Sequence, residues 1–239
     1  MYVLTIDQRG STNDRDRVPD LLTALGSYPG VRFERSVGDE VQGVLQEPAL
    51  VVEAALRALR SGRWYVGIGV GPGTLAPGAS PREGSGAAFV AARKAVERAK
   101  SAASHVPVAV VAGSHRDEAA AACANAEAVL RLVGRLVQDR TEAQWRVVDS
   151  LRAKSGAATG QGAGRHGLQK LVAEELGISE QSVSRSVLRS GWQEEWAARP
   201  AVEMLLATAH RLTLEDLGSN HPDPAGNENQ DRDENRGEP

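Results

Sequence analysis

The chain opens on an apolar run, Tyr2-Val-Leu-Thr-Ile6, whose β-branched content predicts a buried strand ending at Asp7. A polar segment, QRGSTNDRDR, reads as a loop. After it Val18, Leu21, Leu22 and Leu25 draw one apolar face of a short helix, which Gly26 and Pro29-Gly30 stop. Between Val31 and Leu45 two strand-like runs, one with Phe33 and Val37 and one with Val41, Val44 and Leu45, meet at Gly38-Asp39-Glu40, the signature of a hairpin. Pro48 opens a helix to Leu59 with Leu50, Val51, Ala54, Ala55 and Leu59 on one side, and Gly62 ends it. Trp64 to Val70 is again strand-like, and Gly67 and Gly69 would admit another backbone or a ligand at close range. A helix with Phe89, Val90, Ala92 and Val96 on its apolar side and basic Arg93, Lys94, Arg98 and Lys100 follows, then a last strand from Val106 to Val111. This order predicts an α+β domain over residues 1–112, a small antiparallel sheet with helices on one face.

The second half is helical in pattern. Residues 113–139 form a connector helix, with Ala121, Ala128, Leu132 and Leu136 as an apolar seam suited to dimerisation. Within residues 140–212, a helix carrying Trp145, Val147, Val148 and Leu151 precedes a glycine-rich loop, Ser155 to Gly167, where His166 has no second ligand nearby. Then Val172, Ala173, Leu176, Gly177, Ile178 and Val183 fall at helix-turn-helix spacing, with Ser179 capping the second helix and Val187 taking the core position that Ser186 leaves. On that helix Gln181 and Arg185 are placed to read base edges, and Ser184 and Arg189 to hold phosphates. A structural helical hairpin has the same spacing, so that alternative stays open. Trp192, Trp196 and a helix from Ala201 to Leu212 are read as closing core elements.

Charge alters the picture at the end of the chain. From Thr213 onward eight Asp/Glu stand against two Arg, so residues 213–239 carry −6 and are expected to be an acidic disordered tail, while the body carries +3, for a net charge of −3. A mildly positive body is compatible with DNA, and two copies would raise the attraction, so a homodimer is expected. The single Cys123 excludes an internal disulfide and sits in an alanine-rich helical context that reads as core. No apolar run approaches the length of a membrane span and no charged-then-apolar leader is evident, so a cytoplasmic protein without membrane partners is expected.

Candidate chemistry gathers at the hairpin. Asp39 and Glu40 at its tip, with Asp7 ending the first strand, are oxygen ligands of the kind Mg²⁺ takes. Gly38 supplies the backbone freedom of the turn. Gly-Asp is equally a common turn dipeptide, so a solvated turn is the alternative. The glycines at 67, 69, 71 and 73 lack the following helix and the Lys-Ser/Thr of a phosphate loop.

Taken together, VLTIDQRGS, SVGDEVQGVL, YVGIGVG and EGSGAAFVAARKAVERAK, followed by the helix-turn-helix pattern, resemble the SatD-like family of bacterial proteins over most of residues 1–212. More distantly, the first domain resembles the ferredoxin-like palm of class III nucleotidyl cyclases and GGDEF domains. That resemblance implies metal-holding roles for Asp7 and Asp39, with Glu40 beside them, and a phosphate-facing role for Arg93 with Gly38 at the ligand turn. It also implies a defect, because Phe89 stands where cyclases carry an Asn, and losing one such donor typically costs ~10²–10³ in rate. The resulting expectation is a DNA-binding regulator with a nucleotide- and Mg²⁺-sensing, catalytically degenerate N-terminal domain. A metal-dependent cyclase or other phosphoryl-transfer enzyme, and a non-catalytic dimerisation scaffold, are the alternatives.

Overall fold

A computed structural model describes residues 1–26, 31–157 and 165–219. The protein is mixed α+β, with one five-stranded sheet and a helical majority. The strands are β1 (Tyr2–Gln8), β2 (Phe33–Arg35), β3 (Glu40–Leu45), β4 (Trp64–Val70) and β5 (Val108–Ala112). Among the described residues the helices are α1 (Val18–Leu25), α2 (Pro48–Leu59), α3 (Ala87–Ser101), α4 (Asp117–Gln138), α5 (Glu142–Ala157), α6 (Arg165–Leu176), α7 (Glu180–Arg189) and α8 (Trp192–Ser219).

The sheet order is β2-β3-β1-β4-β5. β1 runs antiparallel to both β3 and β4, and β2 antiparallel to β3, but β5 is parallel to β4. The sheet is therefore mixed rather than antiparallel, because α3 acts as a crossover between β4 and β5. Helices also cover both faces instead of one. Tyr2, Leu4 and Ile6 join the main core with residues of α1, α2, α4 and α8, while Val3 and Val44 on the alternate side pack against Ala88 and Ala92 of α3.

Gly67 and Gly69 explain how α3 lies so close to the sheet. A Cβ on Gly69 would sit 2.1 Å from the Ala88 carbonyl oxygen, and one on Gly67 would sit 2.3 Å from the Val96 amide nitrogen. The close partner foreseen for these glycines is a helix backbone. Val90, on the predicted apolar side of α3, instead points outward.

The helix α4 is a core element. Its buried side is Ala119, Ala122, Cys123, Ala126, Leu130, Val133, Gly134 and Val137, packed between β5 and α8. The expected seam lies away from this buried side: Ala121, Ala128 and Leu132 are exposed, and Leu136 is half-buried against Gly191. Cys123 is buried as expected, and burial pushes its thiol pKa up to about 12.

The closing region is one helix, α8, which carries Pro200 inside it and runs to Ser219. Residues 213–219 are thus helical, contrary to the expected disorder from 213 onward. Ser114 Oγ donates to Asp216 at 2.9 Å, tying the end of α8 to the start of α4. Residues 220–239 of the expected tail, most of the glycine-rich loop and the side chain of His166 lie outside the described residues.

Candidate functional site

The register of the sheet brings the sequence-predicted carboxylates together. Asp7 pairs with Glu40 on one side and with Tyr65 on the other, so these side chains share the face that α3 covers. Gly38 adopts φ +58° in the turn, and its carbonyl accepts from Arg35 Nη1 at 2.6 Å. From α3, Lys100 Nζ lies 2.8 Å from Asp7 Oδ2 and 3.1 Å from Glu97 Oε1, and Arg93 Nη2 lies 3.8 Å from Glu40 Oε1. Burial raises the Asp7 pKa, Lys100 works against that rise, and Asp39 and Glu97 add to it. Burial alone would lower the Lys100 pKa, but its hydrogen bonds to Asp7 and Glu97 leave it raised.

This arrangement fits a divalent cation poorly. Among the described residues no three His, Cys, Asp or Glu converge on a point where an ion would sit. Asp7 instead holds an ammonium, and the nearest cation to Glu40 is a guanidinium. Hard cations need several oxygens at once, and of the expected Mg²⁺ set Asp7 is held by Lys100, Glu40 has Arg93 at 3.8 Å with its buried Oε1 making no hydrogen bond, and Asp39 enters no ion pair among the described residues. Phe89, at the position where an Asn was looked for, packs half-buried beside Gly84 and Gly73.

The second predicted site is on α7. The helices α5, α6 and α7 pack on one another around a separate small core of Val147, Leu151, Val172, Ala173, Val183 and Val187. Gly177 turns the chain with φ +63°, Ile178 N–H donates to the Ala173 carbonyl, and Ser179 Oγ accepts from Ser182 N–H at 3.2 Å to cap α7. Val187 fills the core position beside Ser186, but Ile178, expected in the shared core, is 40% exposed. Gln181, Ser184, Arg185 and Arg189 are all exposed, and among the described residues neither arginine enters an ion pair. Trp196, read as core, is 46% exposed and stands edge-on to Trp192.

A third feature has no counterpart in the motif reading. A cleft of about 1250 Å³ opens between α1, the end of α2, the start of β4, the end of α4 and α5. Seven arginines and three carboxylates line it, a formal excess of four positive charges. These arginines are scattered from position 17 to position 152, so no local spacing announces them.

Comparison with protein-family models, curated proteins and solved structures found no match.

Proposed function

We propose that this chain is a DNA-binding regulatory protein in which α5, α6 and α7 form a helix-turn-helix that works as a homodimer, joined to a catalytically degenerate palm. The observation that carries the reading is the outer face of α7. It offers Gln181, Ser184, Arg185 and Arg189 to solvent from a helix held by its own core and cap, with its two arginines outside every ion pair among the described residues. An exposed arginine without a carboxylate partner is poised for guanine edges or phosphate, and glutamine for adenine.

The palm half of the reading draws on strand order. The units β1, α1, β2, β3, α2 and β4 with sheet order 2-3-1-4 follow a ferredoxin-like plan, to which α3 and β5 are added. The SatD-like kinship belongs to the same proposal. Degeneracy is supported by Phe89 at the position of the cyclase Asn and by Lys100 engaging Asp7, one of the carboxylates that a catalytic metal would need.

The test is selection of bound sequences from genomic DNA with the full chain, followed by gel shifts on the selected site. Arg185→Ala should weaken specific binding by ~1–3 kcal/mol and relax preference at one base position. Arg189→Ala should weaken all sequences alike and lower the salt slope by about one. Failure to retain any DNA at low salt, with the protein folded, would refute the proposal.

A further inference from the structure

We propose that the arginine-lined cleft is a binding site for a multiply phosphorylated small molecule. The proposal stands apart from the DNA reading, since it concerns different residues and a different ligand.

Charge is the first argument. Arg57, Arg60, Arg63 and Arg146 line the cleft together with Arg140 and Arg152. Arg146 enters no ion pair among the described residues, and Arg63 reaches its one carboxylate, Asp14, only at 3.7 Å. Adding the carboxylates that hold these arginines from behind, Asp14, Glu53 and Glu195, and Arg199 which shares two of them, still leaves two uncompensated positive charges. A fold that needs the arginines only for ion pairs has no use for this excess.

The second argument is Arg140. Its side chain is fully buried at the cleft, Nε donates to the Ser190 carbonyl at 2.8 Å and Nη1 lies 2.7 Å from Glu195 Oε2, which leaves Nη2 without an acceptor. Leaving a buried charged donor unmet is costly. Arg140 thus adds a positive charge beneath the cleft wall, where water screens it little.

Shape selects the class of ligand. The cavity exceeds the ~300–1,000 Å³ of ordinary small-molecule sites, room for a chain of phosphates and a further group. Duplex DNA presents its charge on a convex surface at one per ~1.7 Å of axis, a shape that meets the rim of the concavity rather than filling it. A compact polyphosphate enters the concavity and brings its charges to the floor. Several arginines acting together favour phosphate over carboxylate through planar, paired hydrogen bonds.

The test is calorimetric titration of the full chain with inorganic tripolyphosphate at low salt, with orthophosphate as comparison. The expected result is saturable binding of tripolyphosphate, at least about tenfold tighter than of orthophosphate. Binding should weaken at least about tenfold in Arg63→Ala/Arg146→Ala, two exposed positions whose loss should leave thermal unfolding unchanged. Arg185→Ala should bind tripolyphosphate as the parent does, which separates this site from the DNA face. Absence of saturable binding at millimolar tripolyphosphate, or equal affinity in the double variant, would overturn the proposal. So would a double variant that loses duplex DNA while the parent ignores tripolyphosphate, since the cleft would then be a backbone contact.

Discussion

Glu195 is the most exacting place to perturb this fold. Its side chain is fully buried, and its carboxylate meets Arg140 at 2.7 Å, Arg152 at 2.7 Å and Arg199 at 2.6 Å. Glu53 shares the last two and also pairs with Arg57. Two carboxylates thus hold four guanidinium groups. Burial pulls the Arg140 pKa down, and Glu195 is the group that offsets it. Glu195→Gln keeps shape and one acceptor but leaves three cations around a neutral amide. Removing one partner of a buried pair costs ~3–5 kcal/mol, and a retained neutral hydrogen bond returns about 1 kcal/mol, so the expected loss is about 3 kcal/mol. For a chain of this size that lowers Tm by ~6–12 °C. Urea unfolding with linear extrapolation reads the loss directly. Adding Arg199→Met should recover part of it, so that the double variant is less destabilised than the sum of the single ones. A loss under about 1 kcal/mol, or strict additivity, would show that the network is screened by water and that the reasoning is wrong.

Two other outcomes follow from the sheet. Gly69→Ala drives a Cβ into the α3 backbone at 2.1 Å, where no side chain is available to move aside; the expected loss is at least ~1–3 kcal/mol, and unchanged urea unfolding would remove the close approach of α3. Asp7→Asn tests the carboxylate site through pH: a carboxyl whose folded pKa lies above its unfolded value binds protons more tightly when folded, so it costs stability at neutral pH and the cost fades as pH falls through the folded pKa. The stability of Asp7→Asn relative to the parent should therefore be greatest near neutrality and decline toward acid, and a flat or reversed difference would contradict the burial of Asp7.

Much of the sheet was legible because its signals are local. The apolar, β-branched run from Tyr2 to Ile6, the Gly38 turn and the paired glycines at 67 and 69 each fix a strand or a close contact within a few residues. The register that puts Asp7 beside Glu40 made the predicted carboxylates neighbours, but their ammonium and guanidinium partners come from α3 and depended on which face that helix took. The inward side of α4 was not legible for a related reason. In DEAAAACANAEAVL alanine occupies seven of fourteen positions and falls on every side of the helix, so the apolar pattern has little contrast, and packing against β5 and α8 decided which side turned inward. Trp196 and Ile178 show the same limit: an apolar residue marks a candidate for burial, and only the neighbouring element decides it.

The arginine network also bears on how the two halves of the protein could communicate. From sequence the one covalent route was the helix over residues 113–139. In the fold Arg60 of the α2 C-terminus grips Asp149 of α5 with both terminal nitrogens, at 2.9 and 2.7 Å, and stacks 3.8 Å from the Trp145 ring centroid. Glu53 of α2 meets Arg152 of α5 and Arg199 of α8. These contacts join α2, which backs the sheet, to α5, which packs against α6 and α7. They line or underlie the cleft, and Arg60 and Asp149 face it. A polyanion seated there would compete with Asp149 for Arg60 and so act on α5 itself, whereas a ligand at the hairpin carboxylates would have to work across the sheet. Allosteric control needs an element that both sites bias, and α5 is the element that both the cleft and the α7 face share.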